Sequence, residues 1–204
     1  MKNTVRLALS AILLATTASA QRVVGEQSFP PVPAPVLLDT ASMFLERYAR
    51  VGDDLFIAGQ PSQRALREMQ KLGVTTVINL RMPQEMARIG FDEPRLLSEL
   101  GMKYVHIPMR GDTGEHSYSP ETLRRFSDAI RAADGKVLLH CTVAWRASHI
   151  WAAYLIQQGV PDVDAVRHAR AINLMDDHRM DDSGRQPIEM FLDRTVKGLG
   201  ERGH

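Results

Sequence analysis

The chain has 204 residues, with 25 Lys and Arg against 24 Asp and Glu, and a formal net charge of +1. So even a balance excludes the basic stripe of a nucleic-acid-binding surface, and the length suits one domain with a sizeable core. Cys141 is the only cysteine, which excludes an intramolecular disulfide and leaves an unpaired thiol to be explained.

Lys2 and Arg6, the apolar run "LALSAILLA" and the small residues Ala18-Ser19-Ala20 follow the order of a secretory signal peptide, residues 1–20, cleaved after Ala20. The expectation is an exported protein, periplasmic or secreted, with no stable membrane insertion after cleavage. No other stretch approaches the ~18 consecutive apolar residues that a span requires. Residues 21–47 read as a proline-rich linker and a short helix. The stretch "FPPVPAPV" (Phe29 to Val36) predicts extended chain, and "TASMFLERYARV" predicts the helix. The globular domain is placed at 48–204.

From there strands and helices alternate. "DDLFIAGQP" predicts a strand that ends in a turn at Gly59. "SQRALREMQKLGV" predicts a helix capped by Ser62 and stopped by Gly73, with Leu66, Met69 and Leu72 inward. "TTVINLR" is a β-branched strand, "EPRLLSELGM" a helix and "KYVHIPM" a strand. "SPETLRRFSDAIRAAD" is a helix opened by Ser119 and Pro120, with Leu123, Phe126 and Ile130 on one face. "KVLLH" has the continuous apolar character of a central strand covered on both faces. "RASHIWAAYLIQQG" follows as a helix with Ile150, Trp151, Tyr154 and Leu155 inward, and "DVDAVRHARAINL" and "PIEMFLDRTVKGL" predict two more. The class is α/β, a small, mostly parallel sheet flanked by helices.

In such sheets ligands sit at the carboxyl ends of the strands, and Cys141 stands at that end of "KVLLH". A short loop between strand and helix can turn successive backbone N–H groups inward as an anion nest. The next helix adds its positive end, and Arg146, in the first turn, offers a two-pronged donor. The same field favours a thiolate over a thiol. One loop thus supplies a nucleophile and an anion cradle, the requirement for phosphate-ester cleavage through a cysteinyl-phosphate. A buried structural thiol is the alternative.

The run His140-Cys141-Thr142-Val143-Ala144-Trp145-Arg146, preceded in order by "FIAGQPS", "GVTTVINLR" and "GMKYVHIPM", resembles the bacterial dual-specificity-phosphatase-like family. These proteins are also called beta-lactamase-hydrolase-like phosphatases, within the protein tyrosine phosphatase superfamily. The likeness covers about Val51 to Ile172. It implies a cysteine-dependent phosphatase domain over 48–204, working without metal or cofactor on a phosphorylated substrate, either protein or small molecule. Cys141 would be the nucleophile, Arg146 the phosphate clamp, and the amides from Thr142 through Val143, Ala144 and Trp145 to Arg146 the cradle. Asp112, in "MRGDTGEHSYS", matches the general acid that protonates the leaving oxygen, with Glu115 and His116 as rivals on the same loop.

Three features depart from the superfamily pattern. Four residues separate Cys141 from Arg146 rather than five, a length shared with rhodanese-type sulfurtransferases. Ala144 replaces a glycine, which would cost about 1 kcal/mol if the position needs positive φ. The hydroxyl residue expected right after the arginine is displaced to Ser148, and the bulky Trp145 stands where it would narrow the mouth or stack on a substrate. A persulfide-carrying sulfurtransferase and a catalytically silent anion-binding module are therefore carried as alternatives. His140 is expected to steady the loop by hydrogen bonds. Arg81 is expected either to add positive charge to the pocket or to pair with Glu85. The histidines lack metal-ligand spacing, and "MDDHRMDDSGR" (Met175 to Arg185) reads as a solvated loop rather than a calcium site.

Overall fold

Six strands form one sheet: β1 (Pro35–Leu37), β2 (Tyr48–Val51), β3 (Leu55–Ala58), β4 (Val74–Asn79), β5 (Lys103–His106) and β6 (Lys136–His140). The structure, a computed structural model, describes residues 32–175 and 184–200. The expected signal peptide, much of the proline-rich stretch and most of the acidic segment 175–185 lie outside them. In space the strands run β1-β2-β3-β6-β4-β5. The first three pair antiparallel, whereas β3–β6, β6–β4 and β4–β5 are parallel. The predicted α/β class therefore holds, with an antiparallel margin added to the parallel centre.

The parallel register decides where the chemistry falls. Ala58, His140, Asn79 and His106 lie side by side across four strands, so the residues that follow each of them gather at one edge. The period-2 alternation of β6 then sorts its side chains. Val137 and Leu139 enter one core with Ile57, Ile78 and Ile150, while Leu138 enters the other with Phe56, Leu66 and Val77. Leu138 and Leu139 are both fully buried, each contributing about 1.5–3 kcal/mol. Continued one step further, the alternation sends His140 to the second face and Cys141 to the first.

The helices are α1 (Gln63–Lys71), α2 (Pro83–Met86), α3 (Glu93–Glu99), α4 (Pro120–Arg131), α5 (Trp145–Gln157), α6 (Asp162–Arg170) and α7 (Pro187–Leu192). α1 and α3 supply Leu66, Met69, Leu96 and Leu97 to one face; α4 to α7 cover the other. α5 is buried along most of its length because α4, α6 and α7 all pack on it. The predicted caps are present: the Ser62 hydroxyl accepts from Ala65 N–H at 3.2 Å and that of Ser119 from Thr122 N–H at 3.3 Å.

Several expectations are corrected. The helix predicted in "TASMFLERYARV" does not form. Ala41, Ser42 and Glu46 take positive φ, Phe44 bridges to Pro61, and Tyr48–Val51 is strand β2. The aromatic spacing of Phe44 and Tyr48 mimics a helix face, but their rings stack at 4.2 Å in a turn and Tyr48 stacks onward on Phe56. The end of the proline stretch is also more than linker: Pro35 begins the edge strand β1, a place where a missing N–H is tolerated. Leu72 is half exposed, because it caps α1 rather than lying within it, and Ile130 is only partly buried. The last helix stops at Leu192, where Asp193 turns left-handed at φ +48°. The turn of helix α2, opened by Pro83, was not expected from the pattern.

Gly59 joins this scaffold to the loop that follows β6. A Cβ there would lie 1.8 Å from Leu45 O and 2.9 Å from Thr142 O, both backbone atoms that cannot swing away. Gly59→Ala is therefore expected to lower stability by about 2–3 kcal/mol, measured by urea unfolding. An unchanged midpoint would mean that the 42–46 turn yields without cost.

Candidate active site

The loop after β6 is shaped from outside. Thr142 O accepts from Gln60 N–H at 2.9 Å, and Val143 O accepts from the side-chain amide of Asn173. In a trans peptide the N–H points opposite to the C=O. The N–H of Val143 therefore points away from Gln60 and that of Ala144 away from Asn173, and Val143 forms an isolated antiparallel bridge with Gly59. Ala144 sits at φ +66°, ψ −2°, so the position does require the left-handed region in which alanine is strained. Cys141 is almost completely buried beneath this turn, and Cys141 N–H donates to Ala58 O. Ser148 does not reach towards the thiol: its hydroxyl donates to Ala144 O at 2.9 Å.

Arg146 is held from four directions. Its Nη1 donates to Glu85 Oε2 at 2.8 Å, Met109 O at 3.2 Å and Leu80 O at 3.3 Å. Its Nη2 donates to Glu85 Oε1 at 2.8 Å and Thr142 Oγ1 at 2.9 Å. Thr142 Oγ1 in turn donates to Glu85 Oε1, and Glu85 Oε2 accepts from Met82 N–H. Burial alone would raise the Glu85 pKa, but the hydrogen bonds from Arg146, Met82 and Thr142 hold it down to about 2. Burial likewise opposes the Arg146 charge, and Glu85 with Cys141 overcomes it, leaving the arginine pKa above its ordinary value. Arg81, expected either to add positive charge to the pocket or to pair with Glu85, donates to Glu85 main-chain O and to Gln60 Oε1. The carboxylate goes to Arg146.

A second network backs the loop on the other face. His140 Nε2 lies 3.0 Å from Glu93 Oε1, with both side chains wholly buried. Glu93 also accepts from Asn79 Nδ2 and Gln60 Nε2. Gln60 then accepts from Arg81, so a chain of bonds runs from behind Cys141 to the open side. Burial works to raise the Glu93 pKa; the neighbouring His140 and these hydrogen bonds overcome it and lower it. The His140 side chain, expected to steady the loop by hydrogen bonds, bonds Glu93 rather than any residue of the loop, and its Nδ1 has no partner among the described residues.

The other predicted residues are placed as follows. Asp112 is exposed on the loop between β5 and α4, with no hydrogen bond among the described residues. That loop starts at Arg146, through Met109 O, so three residues carry Asp112 no further than about 10 Å from that anchor. Glu115 is exposed beside it; His116 is partly buried, and its carbonyl accepts from Arg110 N–H. The base of the loop is fixed by Tyr118, which packs edge-on against Phe191 and whose hydroxyl pKa is pushed up to about 12 by burial. Trp145 does not hang over the mouth: its Nε1 donates to Met175 O at 3.1 Å and its ring meets His149 edge-on. Gln60, Glu93 and Asn173 are the members that sequence reasoning missed, and Glu85 was named only as a partner of Arg81. A carboxylate six residues past the end of β4 was the one available signal.

A mostly parallel sheet with a buried cysteine at the carboxyl end of its central strand, and an arginine at the start of the next helix, defines the fold of the cysteine-dependent phosphatases of the protein tyrosine phosphatase superfamily. The chain belongs to the family described as "Beta-lactamase hydrolase-like protein, phosphatase-like domain", whose model matches residues 48–159. The beta-lactamase hydrolase-like protein of Xylella fastidiosa (strain 9a5c) is 28% identical over 133 residues, 63% of this chain and 30% of that one. The chain thus spans under a third of the length of the curated relatives it matches. Among solved structures, PTPMT1 in complex with PI(5)P superposes with a TM-score of 0.57 at 17% identity, covering 72% of this chain and 92% of that one. P. aeruginosa TpbA gives 0.53 at 21%, covering 79% and 94%, and its complex with pTyr gives 0.51 at 19%, covering 67% and 77%. At these identities the superpositions speak for the fold.

Ala144→Gly is expected to stabilise the protein by about 1 kcal/mol, because glycine removes the left-handed strain. Thermal unfolding should show a rise of about 2–4 °C; a fall would mean that the methyl group packs better than it strains. A carboxylate whose pKa is depressed stabilises the fold above its ordinary value and loses that contribution as pH falls towards the folded value. For Glu85 that window runs from about 4.5 down to about 2. Glu85→Gln should flatten the acid limb of stability there and cost roughly 2–4 kcal/mol at neutral pH by leaving Arg146 unpaired. Urea titrations across the window test both.

Proposed function

We propose that the domain is a metal-independent phosphomonoester hydrolase that works through a cysteinyl-phosphate. The observation that carries this reading is the loop from Cys141 to Arg146. Its carbonyls are tied back by Gln60 and Asn173, and it joins a buried thiol to the N-terminus of α5. Such a turn is a preorganised oxyanion site for a group whose charge shifts during reaction.

In the first step the Cys141 thiolate attacks phosphorus. The S–P bond forms, the ester P–O bond breaks, and the leaving oxygen takes a proton from Asp112. The amides of residues 142–146 hold the non-bridging oxygens together with Arg146, which offers its charge and its Nε–H, the Nη hydrogens being given to Glu85, Thr142, Leu80 and Met109. In the second step water attacks the phosphocysteine, gives its proton to the Asp112 carboxylate and releases inorganic phosphate and the thiolate. Glu85 keeps Arg146 aligned rather than touching substrate, because both its oxygens are committed to protein donors. Export by the N-terminal segment would place this reaction in the periplasm or outside the cell.

The test is release of para-nitrophenol from para-nitrophenyl phosphate by reduced protein. Cys141→Ser should abolish turnover while keeping phosphate binding. Asp112→Asn should slow alkyl phosphates at least tenfold more than the activated aryl ester, since only poor leaving groups need the proton. Turnover that survives Cys141→Ser would overturn the nucleophile. Sulfur transfer from thiosulfate to cyanide without ester cleavage would favour the sulfurtransferase alternative.

A further inference from the structure

An open cleft of about 750 Å3 adjoins the loop, within the size range of small-molecule sites. Its wall includes Thr142, so it opens directly beside the cradle. Two arginines line it, Arg81 and Arg64, and no Asp or Glu does. From these residues we propose that the cleft is a second anion subsite, which holds the further phosphoryl group of a substrate that carries two. This deepens the phosphatase reading and rests on it for the position of the first phosphate.

Arg81 supplies the main observation. It is only 8% exposed, yet among the described residues no carboxylate lies within ion-pair distance of it. Of its five N–H groups, one donates to the neutral Gln60 Oε1 and one to the main-chain O of Glu85; Nε is buried and has no partner. The two nearby carboxylates are already engaged, Glu85 by Arg146, Thr142 and Met82, and Glu93 by His140, Asn79 and Gln60. A cation buried among neutral acceptors is costly unless an anion completes it. Burial does push the Arg81 pKa below its ordinary value, despite the fields of Glu85, Glu93 and Cys141.

The opposite wall is the start of α1. Arg64 lies in its first turn, is exposed and forms no ion pair among the described residues. That turn carries no acidic residue, so the positive helix end is left uncompensated where it borders the cleft. Ser62 caps only Ala65 N–H, which leaves other first-turn amides available to an oxygen ligand. Phe91 and Ile89 border the same space and would take the carbon scaffold between the two phosphates. Gln60 orients Arg81 towards this space, because its NH2 group is spent on Glu93 and Pro61 O and only its oxygen is left for the guanidinium.

The experiment compares phenyl phosphate with 1,2- and 1,3-phenylene bisphosphate, which add one phosphate to the same ring. Binding is measured by calorimetry on the full chain carrying Cys141→Ser, so that it does not depend on turnover. At least one bisphosphate is expected to bind about tenfold or more tighter than the monophosphate, the worth of one charge-assisted contact. Adding Arg81→Gln should collapse that ratio towards one. Arg64→Gln, at an exposed position where folding is not at issue, should reduce it in part, and Arg131→Gln on α4 should leave it unchanged. Equal affinities for the mono- and bisphosphates overturn the inference, as does a ratio that both cleft variants preserve. An Arg81→Gln loss equal on both ligands also overturns it, since Arg81 would then serve only the first phosphate or the thiol. A retained ratio in a protein that hydrolyses no ester would sink the phosphatase reading and leave the subsite standing; turnover without the ratio would do the reverse.

Discussion

The guanidinium of Arg146 is the point on which the carboxyl edge of the parallel strands depends. It ties together the end of β4 through Leu80, the exit of β5 through Met109, the α2 turn through Glu85 and its own loop through Thr142. The two charges of the Arg146–Glu85 pair are 61 residues apart in the chain. A pair so placed is a weak source of net stability, because desolvation offsets most of the attraction. Its value is geometric: removing any one tether would let a different segment drift from the cysteine.

The site is built in two layers because the sheet has two faces. Strand alternation turns Cys141 towards α5 and His140 towards α3, so adjacent residues in sequence serve opposite sides. On the α5 side lie the thiol, the arginine and the strained turn at Ala144. On the α3 side lies a hydrogen-bonded chain from His140 through Glu93 and Gln60 to the Arg81 cation. The two layers meet at the cleft, where Thr142 belongs to the first and Gln60 to the second. A substrate that fills both cradle and cleft would touch both networks at once, which links substrate choice to the same bonds that hold the loop.

The strain at Ala144 belongs to the same account. A non-glycine residue at φ +66° persists only where its surroundings over-determine it. Here Gln60 and Asn173 grip the two preceding carbonyls, while Ser148 N–H and Oγ both donate to Ala144 O. The turn is therefore imposed by its neighbours rather than chosen by its own residues. Trp145, the next residue, is drawn outward to Met175 by the same packing and leaves the mouth clear.

Much of the fold was legible in the sequence because its signals are local. Ser62 and Ser119 cap helices through their own hydroxyls, β-branched residues mark β4, and the unbroken apolar run of β6 marks a strand with no exposed face. The family resemblance placed a glycine where Ala144 stands, and the left-handed backbone there accounts for that preference. The failures were those of context. Phe44 and Tyr48 kept helical spacing but packed as a turn and a strand, since stacking on Phe56 offered more burial than a lone exposed helix. No local pattern assigns Glu85 to Arg146 rather than Arg81, brings Glu93 behind His140, or sends Asn173 to the outside of the loop. Those partners are distant in sequence, and only the parallel register of β3, β6 and β4 brings their strand ends to one edge where such bonds form.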